Sequence, residues 1–203
     1  HAPGHAAYVP VSHRGLDVGP QLRRDAVLER LRPRLEGEQP ALHMQNHKYE
    51  TGVFLRHGIR LRGVGCDPMI ASYLLDPSHE SHSLEALANR ELGYRMLTFK
   101  EVCGTGKNAR CFDEVDVPLA TRYSGEDAEV TFLLAQRLAP RVHAAGLDSL
   151  MRDVEVPLAR VLAILELTGI CLDTVRLEHL SREMVDRLAG LESEVALRTG
   201  LTI

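Results

Sequence analysis

The order of apolar patterns along the chain restricts its fold more than any single residue does. Short β-prone runs alternate with helical spacings over roughly the first third, and almost every later pattern is helical. Ala7–Val11 alternates weakly, with Pro10 marking a strand end or edge. "GLDVGP" is a turn-rich connection. Leu22, Val27, Leu28, Leu31 and Leu35 recur at helical spacing and predict a helix over 20–35. Ala41–Gln45 is the central-strand candidate, and a helix follows from Lys48 to His57, stopped at Gly58. "IRLRG" and "VGC" read as a strand with a bend. Asp67 caps the next helix and Pro68 takes its first position. Ser83 opens another helix, to Leu92. Phe99–Val102 reads as a short turn before the loop "CGTGKNARCFDEV". Pro118 opens a long helix ending near Pro140.

Gly146 reads as a boundary, giving domains 1–146 and 147–203. Past it, Leu150, Val154, Leu158, Val161, Leu162, Leu165 and Leu167 outline a helix stopped by Gly169. "ICLD" reads as a short strand, and Asp173 or Thr174 caps a charged amphipathic helix over 175–197. The expected architecture is a mixed α/β layer followed by a helical module.

With aromatics at 4% and no Trp, the core has to be built from Leu, Val, Ile and Ala. A net charge of -4 excludes a polybasic tail, so any nucleic-acid contact has to be local. The four cysteines form no C-x-x-C pair, which predicts a reduced, cytoplasmic protein. His43 and His47 are four apart, but a strand ends between them, so they make a poor metal pair. No apolar run reaches the roughly 18–20 residues of a membrane span, and no protein partner is implied.

Three clusters carry polar chemistry. "QNHKYE" (Gln45–Glu50) stands at a strand-to-helix junction, where α/β sites lie. The alternative there is a helix cap, Asn46, followed by solvated Lys48 and Glu50. Tyr123 and Asp127 are one turn apart on one helix face. They are either an exposed pair or a metal ligand with a group that orients water. "GTGKN" (Gly104–Asn108) lacks Walker spacing; it is a flexible basic loop or a nucleic-acid backbone contact.

In sequence order, "QNHKYE", "GCDPMIASYLL", "SLEALANREL", "GTGKNARCF" and "RYSGEDAEVTFLL" resemble the 3′-5′ exonuclease domain of the bacterial DNA polymerase I family (family A). "VEVPLARVLAILELTGICLD" resembles the junction into that family's polymerase domain. The resemblance spans nearly the whole chain. It implies a ribonuclease-H-like (DnaQ-like) α/β fold, N-terminally incomplete, with helices that begin a polymerase domain. It also implies a proofreading nuclease with two divalent ions, Mg²⁺ or Mn²⁺, about 3.5–4 Å apart. Asp127 then matches a metal ligand, Glu50 the second-motif carboxylate, and Tyr123 the tyrosine that positions the attacking water. The DNA contacts expected on this basis are Gln45, Asn46, Lys48, Tyr49, Lys107, Asn108, Arg110 and Phe112. The partner is DNA, as a single-stranded 3′ end or, in a parent enzyme, a primer–template.

Two departures qualify this expectation. The family's Asp-x-Glu strand would lie upstream of "AAYVPVSH", so the chain alone is expected to be inactive, as part of a larger DNA-directed DNA polymerase of replication and repair. The second motif normally ends in Asp, and Glu50 carries its carboxylate one methylene further out; displacement by about 1 Å can cost about 10²-fold in rate. The competing reading is a catalytically dead nuclease-fold module that binds DNA or braces the polymerase. A stand-alone RNA-processing exonuclease fits less well, because the chain past Asp148 resembles the polymerase junction.

Overall fold

The structure, a computed structural model, describes residues 4–14, 18–39 and 41–200. Its first elements are α1 (Arg24–Leu35), β1 (Leu42–His43), α2 (His47–Arg56), β2 (Val64–Cys66) and α3 (Pro68–Leu75). β1 and β2 pair in parallel, Leu42 opposite Val64 and His43 opposite Cys66. Parallel strands need a crossover, and α2 supplies it. Two glycines let the backbone close up here. A Cβ on Gly63, which has φ +64°, would lie 2.6 Å from the Glu38 carbonyl oxygen, and a Cβ on Gly65 would lie 2.6 Å from the Ala41 Cβ.

Among the described residues these two strands are the whole sheet. The strand expected at Ala7–Val11 is not one. A β-prone run becomes a strand only where another backbone pairs with it, and this segment is held through side chains. The Gly4 N–H donates to the Glu129 carboxylate (2.8 Å), and Tyr8 packs against buried Val102, Val115 and Ala120. "ICLD" is also not a strand; Ile170 and Leu172 are exposed. The run "IRLRG" stays outside the sheet, although Ile59 and Leu61 are buried with Leu35. α1 starts later than expected because Leu22 is solvent-exposed and adds nothing to its buried face. The first three residues of "GLDVGP" lie outside the described residues.

The remaining helices build the core. α4 (Leu84–Leu87) continues as a π-helical turn, Ala88–Leu92. The expected turn at Phe99 is a short helix, α5 (Phe99–Cys103), started by a reciprocal Thr98–Glu101 capping box. α6 (Val117–Ala144) is capped by Asp116 with Pro118 in its first turn. Pro140 does not end α6. It removes one backbone hydrogen bond, but buried Leu138 and Val142 hold the helix on either side of it. Leu134 and Leu138 of α6 share one core with Ala71 of α3, Leu87 of α4, Cys66 and Met96. Each such leucine contributes about 1.5–3 kcal/mol of burial.

α7 (Asp148–Leu150), a π-helical turn (Met151–Glu155) and α8 (Val156–Thr168) follow without a break. Met151 is buried in the same core, with Leu147 and Val156 against it. The first compact unit therefore runs through Leu167, beyond the glycine at 146. The second unit, Thr168–Ile203, is α9 (Thr174–Thr199), capped by Asp173. Its apolar stripe, including Leu177, Leu180, Met184 and Leu188, is exposed.

Candidate active site

α6 presents Tyr123 and Asp127 one turn apart, and their side chains are hydrogen-bonded. The Tyr123 ring stands in an aromatic group, 5.7 Å from Phe112 and 6.3 Å from Phe99, centroid to centroid. Behind it lie buried Val102, Cys103, Val115 and Ala120. Burial, then the neighbouring Asp127, pushes the Tyr123 phenol well above its ordinary range, so the hydroxyl stays protonated and donates. Burial also pushes Asp127 up to about 6, against the opposing effect of the Tyr123 hydrogen bond; Glu85 and Glu126 add to the rise. A carboxylate held in this way is short of positive charge.

Asp127 lines a cleft of about 1060 Å³, and Glu50 of α2 lines the same cleft. Burial raises Glu50 as well, assisted by the negative charge of Asp67. Gln45, His43, Glu129 and Arg34 also face this cavity. The two motif carboxylates, 77 positions apart in sequence (127 minus 50), thus meet at one opening.

Asp67 sets the position of α2 and was missed as a site residue. Its sequence signal announced only a helix cap, and it does accept from the Met69 N–H (2.9 Å). The same carboxylate, fully buried, also accepts from the Asn46 N–H (3.1 Å), the His47 N–H (2.8 Å) and His47 Nδ1 (2.9 Å). His47 Nε2 faces the Val156 carbonyl at 3.3 Å. These bonds commit the ring, so His47 is not available to share a metal with His43. Asn46 makes no side-chain cap. It takes a left-handed conformation, φ 58° and ψ 54°, which Asn tolerates. That conformation accompanies the turning of two successive N–H groups toward Asp67.

The expected DNA contacts fall in different places. Gln45 lines the cleft; its amide nitrogen donates to the His82 carbonyl (3.0 Å), and its oxygen is buried without a partner. The Asn46 side-chain oxygen is also buried and unpartnered. Lys48 is paired with Glu166 (2.5 Å), and Tyr49 is exposed. Lys107 lies exposed on a 3₁₀ turn that includes Asn108. Arg110 donates to the Val102 carbonyl (3.2 Å), and Phe112 packs beside Tyr123.

Two desolvated carboxylates at an open cleft are hard oxygen donors that suit Mg²⁺ or Mn²⁺, with waters or phosphate oxygens completing the coordination. Among the described residues, the one group of three potential ligand atoms within 4.8 Å of each other is elsewhere: Cys111, Asp113 and Glu114. There Asp113 is paired with Arg14, and Glu114 accepts from the Cys111 N–H. No helix among the described residues is long and apolar enough to cross a membrane.

A family model described as 3′-5′ exonuclease matches residues 1–143. DNA polymerase I of Rhizobium leguminosarum is 39% identical over 96% of the chain, and that of Pseudomonas aeruginosa 37% over 94%. The chain spans only 20% and 21% of those relatives' lengths. A solved structure described as the POL domain of Pol1 from M. smegmatis, in complex with DNA primer-template and dNTP, superimposes with a TM-score of 0.71 at 24% identity. The match covers 90% of this chain and 28% of that one, and it shows the fold.

Proposed function

Because the chain belongs to the family of 3′-5′ exonuclease domains found in DNA polymerase I, with a ribonuclease-H-like fold, we propose that its cleft removes nucleotides from the 3′ end of a DNA strand. The observation that carries this reading is the meeting of Glu50 and Asp127 in one cleft, both desolvated. Family membership carries divalent-metal use in general; Mg²⁺ or Mn²⁺ is the reading for this site. When bound, the ions supply the charge that activates water at neutral pH and stabilises the leaving 3′ oxygen. Asp127 and Glu50 are the residues that would hold those ions. The Tyr123 hydroxyl, kept protonated, steadies Asp127 and orients the attacking water. Water adds to phosphorus, the P–O3′ bond breaks, and the 3′ oxygen leaves with a proton. A 5′-mononucleotide departs from a strand shortened by one.

Within this reading Gln45, Asn46 and Tyr49 contact the strand near its 3′ end, and Lys107, Asn108, Arg110 and Phe112 contact it further along. Lys48 joins them after leaving Glu166. The nuclease domain is proposed to end at residue 146, with 147–203 beginning a polymerase domain that acts on a primer–template in replication and repair. Four free cysteines support a reduced, cytoplasmic setting.

The test is hydrolysis of a 3′-labelled single strand with Mg²⁺ or Mn²⁺. It uses the chain with and without an N-terminal extension carrying an Asp-x-Glu strand. The chain alone should bind the strand and cut it slowly at most, and the extended form should cut it. Asp127→Ala in the extended form should lose more than about 100-fold in rate, because a direct ligand outweighs the 10- to 100-fold effect of outer-shell partners. Binding without cutting in every form would identify the cleft as a DNA-holding module instead.

A further inference from the structure

Arg34 lines the cleft and is used by neither the motifs nor the proposed chemistry. It lies in the last turn of α1, and that turn is anchored. The Arg62 N–H donates to the Leu35 carbonyl (2.9 Å), and the Arg60 N–H to the Glu36 carboxylate (3.0 Å). Leu35 is buried with Ile59 and Leu61 directly behind. The guanidinium is therefore delivered to the cleft by a fixed backbone.

Its hydrogen bonding is incomplete. Nη2 donates to the Ala41 carbonyl at 3.3 Å. Nη1 is closed off from solvent and has no acceptor. Among the described residues no carboxylate pairs with Arg34, although neighbouring Arg32 is shared between Glu29 and Glu36. Glu129, another residue of the cleft lining, accepts from the Gly4 N–H instead. His43, also in the lining, is held toward its neutral form by burial. Arg34 is thus a guanidinium in this cavity whose Nη1 amino group has no acceptor. A desolvated donor without an acceptor is costly, and guanidinium is shaped for a phosphate.

We infer that Arg34 binds a backbone phosphate of the strand in the cleft, next to the linkage that Asp127 and Glu50 face, and so sets how far the 3′ end enters. This rests on the cleft being the nuclease site. The division of labour is physical: Glu50 and Asp127 repel a bare phosphate and need cations, whereas Arg34 attracts one directly. Arg34 is a positioning residue and takes no part in bond making.

The experiment measures binding of a single-stranded oligonucleotide by the full chain, with Ca²⁺ in place of Mg²⁺, over a salt series. Arg34→Gln should weaken binding about tenfold, irrespective of base sequence. It should also lower the slope of log affinity against log salt by about 0.7, the value of one phosphate on a single strand. Arg34→Lys should keep the slope. A strand with one uncharged methylphosphonate linkage, moved along the sequence, should show one position that weakens the wild type and leaves Arg34→Gln unaffected. An unchanged slope in Arg34→Gln, with a folded spectrum and Asp127-dependent hydrolysis intact, overturns this inference and leaves the proposed function standing. No salt-dependent binding by wild type, with no hydrolysis by the extended form, overturns both.

Discussion

Glu50 and Asp127 face one cleft and are both pushed toward protonation by burial, yet they are held there by opposite means. Asp127 sits on a 28-residue helix that buries Val130, Leu134, Leu138 and Val142 in the turns that follow it. Glu50 sits in the first turn of a ten-residue helix with only two buried residues, His47 and Thr51. What fixes the start of that helix is polar: the Asp67 carboxylate receives the Asn46 and His47 N–H groups and the His47 ring, while packing reaches the helix only further along, where Phe54 meets Leu35, Ile59 and Leu61. Packing is non-directional and spread over many contacts, so one lost contact weakens it gradually. A buried polar network is directional, and loss of one member leaves the others unsatisfied. The two carboxylates should therefore respond very differently to damage behind them.

The largest expected effect comes from breaking the polar support. Asp67→Asn turns one carboxylate oxygen into a donor, leaving either the Asn46 and Met69 N–H groups or the His47 N–H and ring without their acceptor, and should cost about 3 kcal/mol or more. A matched packing lesion, Leu138→Ala, should cost about 2–5 kcal/mol. Stability alone does not separate the two, so the comparison rests on hydrolysis per folded molecule in the extended form. Asp67→Asn should lower it about 10- to 100-fold by releasing α2 and Glu50, and Leu138→Ala should leave it near wild type. Denaturant midpoints measured beside single-turnover rates decide this. Equal rates per folded molecule would show that Asp67 is a structural acid only.

The same contrast explains what was legible in the sequence. α6 could be read as far as Pro140, because its apolar spacing, Asp116 and Pro118 are local signals that tertiary packing reinforces. The pairing of Tyr123 with Asp127 follows from helical spacing alone. Position 50 was recognisable from its motif, but its support was not. Asp67 reads as a cap at position 67 and gives no local sign that it also receives N–H groups from 46 and 47. Arg34 reads as one of several arginines on an amphipathic helix, and only the cleft distinguishes it. Ala7–Val11 shows the converse. Its β-propensity is local, whereas a strand is a property of two backbones.

A smaller effect sharpens the Asp127 side. In the metal-free protein Asp127 titrates near 6 instead of its ordinary 3.8. Between those values the folded state keeps a proton that the unfolded chain has released. Stability therefore falls as pH rises through this window, and the loss is complete above it. Asp127→Asn has no charge to desolvate. It should be more stable than wild type at pH 7–8, by on the order of 1 kcal/mol once solvent screening of a half-open group is allowed for. The two should converge below about pH 4. Divalent cation should close the gap at pH 7 by stabilising wild type alone. Melting curves at pH 4, 5, 6 and 7.5, with and without Mn²⁺, test this, and a gap independent of pH would mean that the carboxylate is not desolvated.

The smallest change removes one oxygen from the better-packed side. Tyr123→Phe keeps the ring that packs on Phe99 and Phe112, so the aromatic group and the core behind it should survive. What is lost is the hydroxyl bonded to Asp127, a bond that holds the Asp127 carboxyl lower than burial alone would set it. Asp127 should then titrate higher still, and the acid limb of hydrolysis in the extended form should move to higher pH. At high pH, where Asp127 is ionised in either protein, the remaining deficit reports only the hydroxyl's role in orienting water, about 10- to 100-fold for an outer-shell group. The pH–rate profile separates the two contributions: a shifted limb belongs to the bond with Asp127, and a lowered plateau belongs to water. A profile unchanged in both respects would show that the Tyr123 hydroxyl serves only to satisfy a half-buried carboxylate. Packing alone would then hold the Asp127 side of the cleft.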